Sequence, residues 1–220
     1  MNSLIFPNAN SDPETVLVLA PHTDDGEFGC GATIAKLAAR GHRVVYVAFS
    51  AAEKSVPAGM PPDTLRKEVR LATKVIGIAP QDCVVLDFEV RDFPLHRQQI
   101  LDAMIGFMHE YKPSVVFLPS PRDTHQDHKT IAEEAFRAFK RTTMLGYEIP
   151  WNNLEFATRC FVQISEAQLE LKVKSLECYR SQQSRKYCDA EYIRALATTR
   201  GMQINQRYAE VFDVIRLILR

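Results

Sequence analysis

Short, uninterrupted apolar runs alternate along this chain with longer stretches whose apolar residues recur at helical spacing. Residues 16–20 and 44–49 read as strands buried on both faces, since a strand with one wet face would alternate apolar and polar. Residues 83–86 and 115–118 read as two further short strands. Between them, 29–40, 64–76 and 95–111 carry helical periodicity; Ile34, Leu37 and Ala38 mark the buried stripe of the first. Gly41 and Gly77 follow two of these helices as C-terminal caps. Residues 51–63 hold Pro57, Gly59, Pro61 and Pro62 and read as a loop. After Pro150 the pattern is less regular: a strand at 160–164, helices at 166–179 and around 191–199, and a closing strand at 209–219.

Strands alternating with helices of this length imply right-handed βαβ units and a mostly parallel sheet covered by helices on both faces. The expectation is an α/β, Rossmann-like single domain over 1–220 with an irregular C-terminal part. No internal repeat or low-complexity linker divides the chain. In such open sheets ligands bind beyond the carboxyl ends of the strands.

Composition narrows the function. Lys plus Arg and Asp plus Glu both number 27, giving a formal net charge of zero. That balance argues against nucleic-acid binding, which needs a basic excess. No apolar run approaches the roughly 20 residues of a membrane span. The first fifteen residues lack the basic and apolar regions of a signal peptide. The five cysteines (Cys30, Cys83, Cys160, Cys178, Cys188) form no C-x-x-C pair. They read as buried thiols of a reducing compartment, and the expected location is cytoplasmic.

The chemistry concentrates in two short runs, each after a strand. The first is Pro21-His22-Thr23-Asp24-Asp25 and the second Asp123-Thr124-His125-Gln126-Asp127-His128. Together they bring enough imidazole and carboxylate for a divalent metal with acid–base chemistry beside it. Asp127 can accept an imidazole N–H and fix a ring. The glycines Gly26, Gly29 and Gly31 lack the G-x-G-x-x-G order, and two acids precede them. They read as close-packing positions, not a dinucleotide fingerprint. His96 and His109 lie in predicted helices and read as structural.

These two motifs resemble those of the LmbE/PIG-L superfamily of zinc-dependent N-deacetylases, which act mostly on N-acetylglucosamine derivatives. The family's A-H-P-D-D-E stands here as Pro21-His22-Thr23-Asp24-Asp25-Gly26, and its H-x-D-H as His125 to His128. Arg66, Glu68, Gly77 and Ser181-Gln182 also resemble family positions. Thr23 stands in place of a turn-stiffening proline and Gly26 in place of a glutamate, for which Glu27 is the candidate substitute. The resemblance implies one zinc (or another divalent metal) per chain, held by His22, Asp25 and His128 with an open fourth position. It further implies Asp24 as general base and a protonated His125, oriented by Asp127, as partner of the oxyanion.

Two other classes remain in view. A phosphoesterase or lactamase-like hydrolase would need further histidines, and residues 129–220 contain none. A non-catalytic sugar-binding module would have no use for Asp24 or His125, and both are present. For the substrate, an N-acetylated sugar or glycoconjugate, the candidates are Arg66 for an anionic group and the loop carrying Tyr147, Trp151 and Asn152 for a sugar ring. Arg66 pairing with a nearby acid and Trp151 packing over the domain edge are the structural alternatives. The sequence leaves homo-oligomerisation open.

Overall fold

The computed structural model describes residues 13–219. The first twelve residues, most of the stretch expected to hold no signal peptide, lie outside the described part. The sheet has seven strands: β1 (Thr15–Ala20), β2 (Arg43–Ala48), β3 (Cys83–Val85), β4 (Val115–Pro119), β5 (Thr143–Tyr147), β6 (Cys160–Gln163) and β7 (Ala209–Arg216). Their order is β3-β2-β1-β4-β5-β7-β6, with the first five parallel and β7 antiparallel to both its neighbours. The irregular C-terminal part therefore extends the sheet rather than standing apart from it.

Alternate residues of β1 feed two cores. Val16, Val18 and Ala20 belong to the larger apolar cluster, while Leu17 and Leu19 belong to the one behind the sheet. This two-sided burial is why the strand reads as an unbroken apolar run. Helices α1 (Asp25–Ala39), α2 (Thr64–Val75), α5 (Glu166–Glu177) and α6 (Ala190–Met202) contribute to the first cluster; α3 (Arg97–Tyr111) and α4 (Gln126–Ala138) contribute to the second. No helix among the described residues is long and apolar enough to cross a membrane. All five cysteines are free, with Cys30, Cys83 and Cys188 buried.

Strand β5 was not anticipated. Its five residues, TMLGY, are all buried and carry no alternation to betray them. The consequence is a correction: Tyr147 ends a central strand and is not part of a binding loop. Its ring fills the space beside Gly29, where any β-carbon would collide with it, and its hydroxyl donates to the Leu19 carbonyl at 3.0 Å. It is fully buried and takes no part in the cleft.

The neighbours of β1 are β2 on one side and β4 on the other, so the chain's direction of winding reverses between β1 and β4. The loops leaving the carboxyl ends of these two strands carry the two motifs. A crevice opens at such a switch point because the connections diverge to opposite faces of the sheet.

Candidate metal centre and cleft

Helix α1 begins at Asp25, four residues earlier than its apolar pattern suggests, so the first motif turns directly into a helix. The helix then breaks at Cys30 (φ −148°, ψ 23°). Glu210 of β7 reaches across and accepts the N–H groups of Ala32 and Thr33 at 3.1 and 2.6 Å. The buried Lys172 of α5 donates to the Phe28 carbonyl and to Glu210, both at 2.7 Å. This ion pair satisfies the backbone groups that the break exposes, which would otherwise be unpaired in the core. It thereby fixes the short first segment bearing Asp25 and Phe28.

Three donor atoms converge where the motifs meet. His22 Nδ1 lies 3.1 Å from Asp25 Oδ2, His128 Nε2 lies 3.2 Å from the same oxygen, and the two nitrogens are 3.4 Å apart. A tetrahedral zinc with bonds near 2.0–2.1 Å needs its ligand atoms about 3.3 Å apart, so the triangle already has the spacing of one face of such a site. The far nitrogens are committed elsewhere: His22 Nε2 to Asp127 Oδ2 at 2.9 Å, and His128 Nδ1 to Asp123 Oδ2 at 2.7 Å. A carboxylate behind each imidazole fixes its tautomer and raises its basicity, as at metal-bound histidines. The imidazoles of His22, His125 and His128 also offer nitrogens within 4.8 Å of one another. The set with Asp25 is tighter and brings the negative charge that a divalent cation favours.

The electrostatics follow from this packing. Burial disfavours the charged imidazoles, but the surrounding carboxylates outweigh it. They raise His22 to a pKa of about 9 and His128 to about 10. Burial likewise works against the Asp25 carboxylate, yet His128 and His22 hold it well below the usual range. Asp24 lines the cleft without capping the helix, and burial together with the adjacent Asp25 charge raises it to about 6.

Asp127 has a different place from the one the motif suggested. Its carboxylate does not orient His125; it accepts from His22 and from the N–H groups of Arg91 and Phe93 at 2.6 and 3.3 Å. Only its own N–H meets His125, donating to Nδ1 at 3.2 Å in the helix-capping position. His125 is therefore an Nδ1 acceptor whose proton sits on Nε2. Burial and the neighbouring His128 and His22 charges lower its pKa, so the expected imidazolium is replaced by a neutral N–H donor.

Glu27, the candidate substitute for the family glutamate, does not line the cleft. It is fully buried beneath the motif, bonded to the Tyr46 hydroxyl and, at 2.8 Å, to Tyr179. The same hydroxyls lie 2.8 and 2.7 Å from the Thr23 carbonyl, while Tyr46 also accepts the Gly26 N–H. Two hydroxyl protons must serve both the carbonyl and the carboxyl, and a protonated Glu27 supplies a third. Burial accordingly pushes its pKa to about 8. Glycine at 26 is what admits Tyr46, whose ring a β-carbon there would strike. Glu27→Gln should then change stability by under about 1 kcal/mol, whereas Glu27→Ala should cost about 2–4 kcal/mol through a void and orphaned hydroxyls. Equal losses in urea denaturation would mean that Glu27 is charged.

Of the predicted substrate residues, Trp151 and Asn152 line the cleft with the histidines, whereas Arg66 does not. Arg66 donates to the Val85 carbonyl at 3.2 Å and pairs with Asp87, tying α2 to the end of β3. Trp151 stacks on Tyr187 with centroids 4.2 Å apart and meets Phe28 edge-on at 5.2 Å. Glu68 accepts from the N–H and hydroxyl of Ser181 at 3.0 and 2.6 Å, which sets Gln182 on the cleft wall. Asp123, Arg91, Arg185 and Tyr187 were not foreseen as site residues. Asp123 carried a signal, standing five residues before His128; the others come from loops without a motif.

Fold and site together define an α/β protein with a histidine–carboxylate cluster, able to hold a metal ion, at the sheet's switch point. The profile of the PIG-L family, described as GlcNAc-PI de-N-acetylase, matches residues 17–139, and the chain belongs to that family. An uncharacterised deacetylase of Escherichia coli, YaiS, is 25% identical over 187 residues, covering 82% of this chain and 98% of that protein. The diacetylchitobiose deacetylase of Thermococcus kodakarensis is 24% identical over 224 residues, covering 91% and 82%. The crystal structure of N,N'-diacetylchitobiose deacetylase from Pyrococcus horikoshii superposes with a TM-score of 0.78 at 23% identity, covering 93% and 84%. That likeness establishes the fold; the chemistry has to come from the side chains.

Proposed function

We propose that this protein is a zinc-dependent hydrolase that removes the N-acetyl group from an N-acetylated amino sugar, releasing acetate. The carrying observation is the His22–Asp25–His128 triangle, backed by carboxylates and opening onto a cleft that also holds Asp24 and His125. Zinc held by these three residues supplies Lewis acidity, polarising an amide carbonyl and acidifying a water.

The remaining steps belong to the chain's own groups. Asp24, with a basicity lifted towards neutral pH, takes a proton from the water that attacks the acetamide carbon. His125 donates its Nε2–H to the carbonyl oxygen as negative charge gathers there. When the C–N bond breaks, Asp24 returns the proton to the departing nitrogen. Water and amide are thus converted to acetate and an amine with no further reactant. The stacked Trp151–Tyr187 pair offers an aromatic face to a sugar ring. Support for an amino sugar comes from the PIG-L membership and the chitobiose deacetylases among its relatives. The test is acetate release from neutral N-acetylglucosamine glycosides by zinc-loaded enzyme. No acetate from any of them, or from N,N'-diacetylchitobiose, would reject the reading.

Metal uptake should be strongly pH-linked. With folded-state pKa values of about 9 and 10, His22 and His128 are imidazolium ions in the metal-free protein at neutral pH. Each must lose a proton to ligate, so titration of zinc near pH 7 should release about two protons. Calorimetry in buffers of different ionisation enthalpy reads that number, and apparent affinity should climb as pH rises towards 9. In the metal-free protein the sign is opposite. The imidazolium–carboxylate pairs stabilise the fold fully below about 6.5, and that contribution is lost as pH rises through 9 to 10. Release of no protons would mean that both imidazoles are already neutral in the metal-free protein; no zinc uptake at any pH would remove His22 and His128 as ligands.

A further inference from the structure

Two buried phenols hold the turn of the first motif from below. The Thr23 carbonyl accepts from the Tyr46 hydroxyl at 2.8 Å and from the Tyr179 hydroxyl at 2.7 Å. All three residues are buried, Tyr46 on β2 and Tyr179 just after α5. Tyr46 grips the turn a second time, accepting the Gly26 N–H at 3.1 Å. Its ring reaches that place only because residue 26 has no β-carbon to collide with it. On either side the backbone is tied: the Pro21 carbonyl accepts the Ser50 N–H at 3.0 Å, and the Asp24 carbonyl accepts the Phe28 N–H at 3.1 Å. Between these ties lie His22, which faces the metal triangle, and Asp24, which opens onto the cleft. The Thr23 carbonyl sits between the two, so a shift of that one group moves both.

The motif's departures from the pattern it resembles give this clamp a purpose. Thr23 stands where that pattern has a proline, and so leaves free a φ that a proline would lock. Gly26 stands where it has a glutamate, and Gly26 is what seats Tyr46. The two changes are complementary: one loosens the turn, and the other admits the phenol that holds it. A ring locked in a close-packed core moves only if its neighbours do, so its hydroxyl is a fixed point. Merely satisfying the buried carbonyl would take one donor, and Tyr179 already supplies it.

We propose that Tyr46 is a positioning residue of the reaction, seated by Gly26, which takes the place of the absent proline by fixing the turn between His22 and Asp24. The kinetic part of this assignment rests on the N-deacetylase reading; the zinc part does not need turnover. Tyr46→Phe keeps the ring and removes the hydroxyl. In full-length protein kcat should fall about tenfold with KM little changed, and zinc affinity, read by chelator competition, roughly three- to tenfold. The decisive comparison repeats this substitution in a Thr23→Pro background, where the ring of proline stiffens the same turn covalently. Among the described residues the Thr23 N–H donates to no group, so proline removes no bond there. Measured against Thr23→Pro alone, Tyr46→Phe should then cost about twofold or less in both quantities. A hydroxyl that only satisfied the carbonyl would be missed equally in both backgrounds, since proline brings the carbonyl no donor. Met104→Ala, on α3 in the other core, should lower the melting temperature yet leave zinc affinity and kcat unchanged below it. Melting curves establish that each variant is folded. Equal losses from Tyr46→Phe in both backgrounds would overturn the proposal, and so would no loss in either. Acetate release by the wild type judges the reaction separately: release with equal losses rejects only the role of Tyr46, and the zinc pattern without release rejects only the reaction.

Discussion

Asp24→Asn should lower kcat by about 10²–10⁴, the usual worth of a general base, while zinc content stays at the wild-type level. The two carboxylates of the first motif look alike in sequence, and only geometry separates them. Asp25 faces both imidazoles and accepts the His22 N–H at 2.8 Å, whereas Asp24 opens onto the cleft. Asparagine keeps the shape of Asp24 and cannot accept the proton. In the wild type, activity should rise as pH passes through about 6, the value to which burial and the Asp25 charge lift Asp24. In the variant the residual rate should lose that limb. Near-wild-type turnover in Asp24→Asn would place the base elsewhere.

His128→Ala should abolish tight zinc binding and, with it, measurable acetate release. The effect is large because His128 is only 2% exposed and its two nitrogens join Asp25 to Asp123. Its removal costs one ligand and leaves two buried carboxylates facing a void. Asp123→Asn and Asp127→Asn test the arrangement more finely. Each keeps volume and all three ligands but weakens the carboxylate behind one imidazole, so zinc affinity should fall by roughly 10–100-fold, short of complete loss. Elemental analysis after gel filtration, with circular dichroism to establish folding, checks the order. Full zinc occupancy in His128→Ala would remove this residue from the ligand set. The fold could still fail in that variant for want of a partner to the two acids; the Asp123→Asn result then carries the test.

Much of this was legible because two physical demands write themselves into local sequence. A parallel strand buried on both faces must be apolar throughout, so β1, β2 and β4 declared themselves and drew the helices between them. A tight turn at a strand's end bearing histidine and two acids is costly unless the acids find charge. Hence His22, Asp24, Asp25, His125 and His128 could be named, and all of them line one cleft.

What only the tertiary structure decided are partnerships between residues distant in the chain, where no spacing rule applies. Asp127 stands two residues from His125, yet its carboxylate serves His22, 105 residues away, because α4 turns its first side chains towards the loop after β1. Tyr147 carries a hydroxyl and an aromatic ring, the marks of a sugar contact, but the glycine opposite makes a hole that its ring fills. Arg66 is claimed by the end of β3, while Arg91 and Arg185, which belong to no motif, reach the cleft from two loops. Glu27 is charged in isolation and neutral beneath the site, because burial among tyrosines costs the carboxylate more than hydrogen bonds return. The sequence by itself determined which groups can do chemistry. Long-range packing decided which of them face the substrate and in what state of protonation, since burial and the choice of neighbour, not residue type, set both.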